Sequence, residues 1–145
     1  METNEPKPNI KLTVPFFRVI DMEASLRFYV DGLGFELLNQ WTPRGKIEWC
    51  YLKREGAALM LQQPRNDIPN PWKPEGKTGI GVTICFFCED ALALYHEFIA
   101  KGIKAEEPFV SNNMWSTTLR DPDDYRLEFE SSTDVPEGTK LSEWK

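Results

Sequence analysis

Few side chains in this chain could do chemistry, and they fall into three groups. Cys85 and Cys88 form a Cys-x-x-Cys pair, which runs thiol–disulfide exchange when it opens a helix that stabilises a thiolate. The only histidine, His96, is a possible general base or metal ligand. Carboxylates, Glu128 foremost, could hold a cation or pair with Arg18 or Arg126, because an inward-facing carboxylate without a cation has its charged form disfavoured. The cysteines lie in Gly-Val-Thr-Ile-Cys-Phe-Phe-Cys, which reads as a strand, and positions three apart on a strand point to opposite faces. Cys85 and Cys88 are therefore expected to be structural rather than redox residues. His96 sits between Tyr95 and Glu97 in a helical stretch and is read as solvent-facing or locally hydrogen-bonded.

Positioning these groups falls to one domain's worth of chain. At 145 residues with 18 aromatics, the chain can bury one substantial core. Seventeen Lys and Arg against 23 Asp and Glu give a net charge of −6, and no basic cluster is long enough to track a phosphate backbone, which excludes nucleic acid as the expected partner. Three cysteines are an odd number, against a disulfide framework. The opening Met-Glu-Thr-Asn-Glu has neither the basic nor the apolar region of a signal peptide, and no apolar run reaches the ~20 residues of a membrane span, so a cytoplasmic protein without membrane contact is expected.

The apolar run Leu12 to Ile20 reads as a strand ending at Asp21, a helix N-cap, after which Met22, Leu26, Tyr29 and Leu33 recur at spacings of four, three and four. Gly34 closes that helix. Strand-like stretches follow at 35–42, 46–53 and 57–63, with turns at Pro43-Arg44-Gly45 and Arg54-Glu55-Gly56. Residues 64–78 carry four prolines and continue neither sheet nor helix. The order then returns: a strand at 79–88, Asp90 as N-cap, a helix with Leu94, Tyr95, Phe98 and Ile99, Gly102 as its end, and strands near 105–110, 115–120 and 125–130. Asp21 and Asp90 stand 69 residues apart, and Ala58–Leu61 and Arg126–Phe129 stand 68 apart, so two βαβββ units of matching length are expected. The expected layout is an N-terminal tail 1–10, one domain over 11–131 (first module 11–63, linker 64–78, second module 79–131) and a loosely docked tail 132–145, with Trp144 the exception to its polar composition.

Val19-Ile20-Asp21, Ser25, Phe28-Tyr29, Leu33-Gly34-Phe35, Asp121-Pro122-Asp123 and Leu127-Glu128, in that order, resemble the vicinal oxygen chelate superfamily of glyoxalases, extradiol dioxygenases and bleomycin resistance proteins. The resemblance implies an α+β fold in which two tandem βαβββ modules form a cupped mixed sheet with helices outside. It also implies that catalytic members hold a divalent ion by His and Glu on the first and fourth strands of each module. Seven residues before each capping Asp, where the family places its His, stand Val14 and Thr83; the fourth-strand positions are Met60 and Glu128. One of four ligands is a competent donor, and a lone carboxylate holds no catalytic metal, so no cofactor is expected.

In the family's register, alternation lines the cup with Val14, Phe16 and Arg18; Ala58, Met60 and Gln62; Thr83, Cys85 and Phe87; and Arg126, Glu128 and Glu130. Phe16, Met60 and Phe87 are either core or pocket wall. Trp49 and Trp115, on short strands among polar residues, are either an edge of the core or stacking surfaces at a groove mouth. Among non-metal branches the chain looks most like the bleomycin resistance type, through Thr13-Val14-Pro15, the stretch from Phe28 to Glu36, and Leu119-Arg120-Asp121-Pro122. That likeness implies an acidic homodimer, with an N-terminal strand that can swap at Pro15, sequestering a cationic bithiazole-bearing antibiotic in interface grooves. The expected ligand-binding residues are Phe16, Arg18, Trp49 and Met60 from the first module and Cys85, Phe87, Trp115 and Glu128 from the second. A metal-dependent lyase, isomerase or dioxygenase with an atypical ligand set is the alternative, and a module that binds a protein partner is a third. The proline-rich linker and the tail ending in Trp144 are additions that could cover the groove.

Overall fold

A computed structural model describes residues 7–144, so the outermost parts of both expected tails, 1–6 and 145, lie outside it. Eight strands form two four-stranded sheets of identical design. In the first, β1 (Phe16–Arg18), β2 (Glu36–Trp41), β3 (Trp49–Arg54) and β4 (Ala57–Gln62) lie in the order β1-β4-β3-β2. In the second, β5 (Thr83–Phe87), β6 (Phe109–Ser111), β7 (Met114–Arg120) and β8 (Arg126–Ser132) lie as β5-β8-β7-β6. The first strand of each sheet pairs in parallel with the fourth and the rest pair antiparallel, so the duplication expected from spacing is present as topology.

Each parallel pair is spanned by a helix that its capping aspartate starts. The Asp21 carboxylate accepts from the Ala24 backbone N–H (3.2 Å) to open α1 (Met22–Leu26), and Asp90 accepts from Ala93 N–H (2.9 Å) to open α2 (Ala91–Ala100). The first helix widens into a π-helical turn over Arg27–Gly32 and ends where Gly34, at φ +78°, reverses the chain.

The core lies between the helices and one face of both sheets. Leu59 and Leu61 of β4, Cys50 and Leu52 of β3, Leu127 and Phe129 of β8 and Leu119 of β7 alternate inward and meet Met22, Tyr29, Leu33 and Phe98 in one cluster. The modules are joined through it: Phe17 stacks on Tyr125 at 3.9 Å, and the Tyr29 hydroxyl donates to Asp121 Oδ2 at 2.7 Å. Ile20 N–H donates to Asp123 Oδ1 (3.2 Å), and Arg54 grips Glu97 with two bonds (2.6 and 3.1 Å) while also donating to the Leu33 carbonyl.

Four segments differ from expectation. The first strand is three residues long rather than nine: Pro15 offers no N–H, and its carbonyl's bond from Met60 N–H is the last rung. The strand expected from Lys46 starts at Trp49, and the one expected at 105–110 is reduced to a single Ala105–Leu119 bridge and then β6, because Pro108 breaks the ladder. The C-terminal segment is not loosely docked. Thr139, Val110 and Gly138 exchange backbone hydrogen bonds, Leu141 N–H donates to Pro108, and Lys140 bridges to Phe109.

Candidate functional site

The face of each sheet turned away from the core carries the residues of interest. On β1 only Phe17 is buried, with Phe16 and Arg18 exposed on either side, and on β5 Thr83, Cys85 and Phe87 are the exposed positions. Cross-strand register extends these into rows. Phe16 pairs with Met60, which pairs with Tyr51; Arg18 pairs with Gln62, which pairs with Trp49, which pairs with Trp41. In the second sheet Cys85 pairs with Glu128, which pairs with Thr118, and Phe87 pairs with Glu130, which pairs with Ser116. Phe16 is 47% exposed and Phe87 76%, so neither belongs to the core.

Trp115 is a correction. It is on the opposite face of β7, 5% exposed, in a second buried cluster with Ala91 and Val110. Val135, Leu141 and the Trp144 ring, 5.5 Å away edge-on, cover it. Its polar neighbours Asn112, Asn113 and Ser116 suggested a solvated strand, but β7 is central in its sheet and buried from Trp115 to Leu119. Thr117 shares the inner face with Trp115, and its Oγ1 donates to the Ala91 carbonyl at 2.8 Å. Trp49 is half-buried in the row with Arg18.

The electrostatics concentrate on the second sheet. Arg126 Nη2 lies 2.8 Å from Glu128 Oε1, an ion pair of the kind the sequence required. One potential ligand atom from each of Cys85, Glu128 and Glu130 lies within 4.8 Å of the others. Burial, with Glu130 and Glu128 close by, pushes the Cys85 thiol up to about 11. His96 is exposed on α2, edge-on to Tyr95, and takes no part in this cluster. On the first sheet, the Arg18 guanidinium lies over the Trp72 ring at 5.1 Å, so the proline-rich segment folds back onto this end of the face. Where the two sheets meet, a groove of about 430 Å³ is walled by Pro15, Phe35, Ala58, Cys85 and Phe87, with Arg54 at its rim; Val14, Met60, Thr83 and Glu128 do not line it.

The glyoxalase/bleomycin resistance protein/dioxygenase superfamily model matches residues 11–129. The chain belongs to this superfamily. Among solved structures, SMU.1112c aligns with 24% identity and a TM-score of 0.68, over 86% of this chain and 100% of that one. A lactoylglutathione lyase from Agrobacterium tumefaciens aligns with 25% identity and a TM-score of 0.63, over 86% and 96%. TnmS3, an antibiotic-binding protein from Streptomyces sp. CB03234, aligns with 21% identity and a TM-score of 0.64, over 87% and 99%. No curated protein matches the sequence.

Membership raises the question of the superfamily's divalent ion. The positions that carry it in catalytic members are occupied here by the half-buried hydrocarbon of Val14, the thioether of Met60, the Thr83 hydroxyl and Glu128, the one carboxylate among the four. A valine cannot ligate, and a thioether and a neutral hydroxyl are poor donors to a hard or borderline cation. This four-position set does not fit the metal, and no reaction step is drawn through it. No helix among the described residues is long and apolar enough to cross a membrane.

Proposed function

We propose that this superfamily member is of the bleomycin resistance type: a cytoplasmic homodimer that binds a planar, cationic small molecule on the open sheet face, without a metal or a chemical step. The observation that carries this reading is the pairing of Phe87 with Glu130 beside Glu128. A ring three-quarters exposed next to two carboxylates is costly for a monomer and useful for stacking a flat cation. Phe16, Arg18, Trp49 and Met60 supply the wall of the first module, and Cys85 pairs with Glu128 and also lines the groove. The dimer is supported by the same exposure and by the segment before β1, where Ile10 and Leu12 are exposed and outside any strand, available to a partner subunit.

Tryptophan fluorescence titration with bleomycin tests the ligand. Micromolar quenching is expected, weakened at least ~tenfold by Phe87→Ala, in line with the ~1–3 kcal/mol carried by a stacked aromatic. An unchanged signal for the drug and for other planar cations at that concentration defeats the reading.

A further inference from the structure

We propose that Cys85, Glu128 and Glu130 form a binding site for a thiophilic divalent cation of the zinc type, with one thiolate and two carboxylates presented by two neighbouring strands of one module. The three come together because β5 and β8 are parallel and in register: Cys85 is opposite Glu128, and Glu130, two residues on, shares its face. Their candidate ligand atoms all lie within 4.8 Å of one another. A tetrahedral zinc, with sulfur at ~2.3 Å and oxygen at ~2.0–2.2 Å, sets its ligands about 3.5 Å apart, a distance that rotamer changes on a half-exposed face can reach. Three protein ligands leave the fourth position to solvent. On binding, the Cys85 thiol gives its proton to solvent and its sulfur pair to the metal; nothing is oxidised or reduced.

Two features mark this cluster off from an ordinary group of surface acids. First, the local charge is unbalanced. Arg126, through Nη2 on Glu128, is the one cation the structure pairs with the three, leaving the Glu130 carboxylate and the thiol without a salt-bridge partner among the described residues. Second, Thr118, directly across the β7–β8 ladder from Glu128 and on the same face, is only 2% exposed, and its hydroxyl has no hydrogen-bond partner. A buried hydroxyl left unpaired is destabilising, so a partner that satisfies it is favoured. Beside Glu128 it is placed to donate to a ligating carboxylate or a metal-bound water, as outer partners of metal sites do.

The set differs from the superfamily's own. It is confined to one module, and Cys85 and Glu130 have no counterpart among the four positions that fail above. It is also independent of the small-molecule reading and meets it at one point: an ion here neutralises the acids that would attract a cationic ligand, so ion and ligand compete.

Cobalt(II) titration of the full chain, kept reduced with a non-thiol reductant, reads thiolate ligation directly as near-ultraviolet sulfur-to-cobalt charge transfer. The expected result is saturation at one equivalent, displacement by zinc, loss in Cys85→Ser and retention in Cys88→Ser. Glu130→Gln and Thr118→Val should each weaken binding by ~10-fold or more. Absence of the band in the parent protein, its persistence in Cys85→Ser, or full affinity in Glu130→Gln overturns the site. Should Cys85→Ser not fold, alkylation of the exposed Cys85 in the parent chain decides: zinc must slow it while leaving Cys88 unchanged, and an unaltered Cys85 rate overturns the proposal. None of these readouts involves the organic ligand, so failure here and failure of the bleomycin titration are separable.

Discussion

Asp121 is the residue on which local chemistry and global stability meet. It is buried, and burial pushes its carboxyl up to about 6 even though Tyr29 O–H, Asp123 N–H and Tyr125 N–H all donate to it. Because the folded form holds its proton to higher pH than the unfolded chain, which releases it near 3.8, folded protein binds more protons between about pH 4 and pH 6. Its contribution to stability is therefore greatest at the acidic end and declines as pH rises through that window, and Asp123, also raised by burial, acts in the same direction. Urea midpoints should show Asp121→Asn flattening the fall in stability between about pH 4 and pH 6; an unaltered slope contradicts the assignment. Tyr29→Phe removes a donor to this carboxylate and should cost ~1.5–3 kcal/mol above pH 7, where the acceptor is ionised, and less near pH 5. Tyr29 and Asp121 were each legible as family-like residues, yet their bond spans 92 positions, and no local pattern announces it.

At the scale of elements, local chemistry was read well and context poorly. Asp21 and Asp90 cap the helices they were expected to cap, and Gly34 and Gly102 take the positive φ that ends a helix, because capping and left-handed turns are decided within a few residues. The parallel register that brings Cys85 beside Glu128 and Glu130 depends on partners more than 40 positions away, so the cluster was invisible although each residue had been placed on the correct face. Trp115 differs from expectation for a related reason: a strand opening on Asn112 and Asn113 looks solvated until a tail covers it. Trp144→Ala should redden and quench the emission of Trp115 and cost about 1 kcal/mol, the scale of an aromatic pair; a spectrum like the parent's would show that the tail does not seal it. Gly79 closes the proline-rich segment against the Asp124–Tyr125 turn, and a Cβ there would stand 2.0 Å from Tyr125 N. Gly79→Ala should therefore destabilise by ~2–3 kcal/mol or more, read by thermal melting, since backbone cannot step aside as a side chain can.

For the whole molecule, the consequence of the shared core is cooperativity. The first module contributes Phe17, Tyr29 and Arg54 to the junction and the second contributes Tyr125, Asp121 and Glu97, so each half alone would expose a stacked ring and strand a charged or polar partner. Far-ultraviolet circular dichroism and tryptophan fluorescence should report one coincident unfolding transition, and residues 1–63 expressed alone should not fold. Separate transitions would mean that the modules are independent. Sequence periodicity revealed that there are two units of equal design; it could not reveal that neither has a complete core, because that follows from which side chains face the seam.

The C-terminal strap has a further meaning at this scale. By exchanging backbone hydrogen bonds with Val110 and donating to Pro108, it occupies the outer rim of β6, the free margin of the second sheet. A row of unclaimed amides and carbonyls is a template on which another chain can polymerise. The strap is thus a stop for lateral growth as well as a lid over an indole. A chain cut after Ser132 would lose that stop, and its defect would emerge as concentration-dependent turbidity before any loss of helix content.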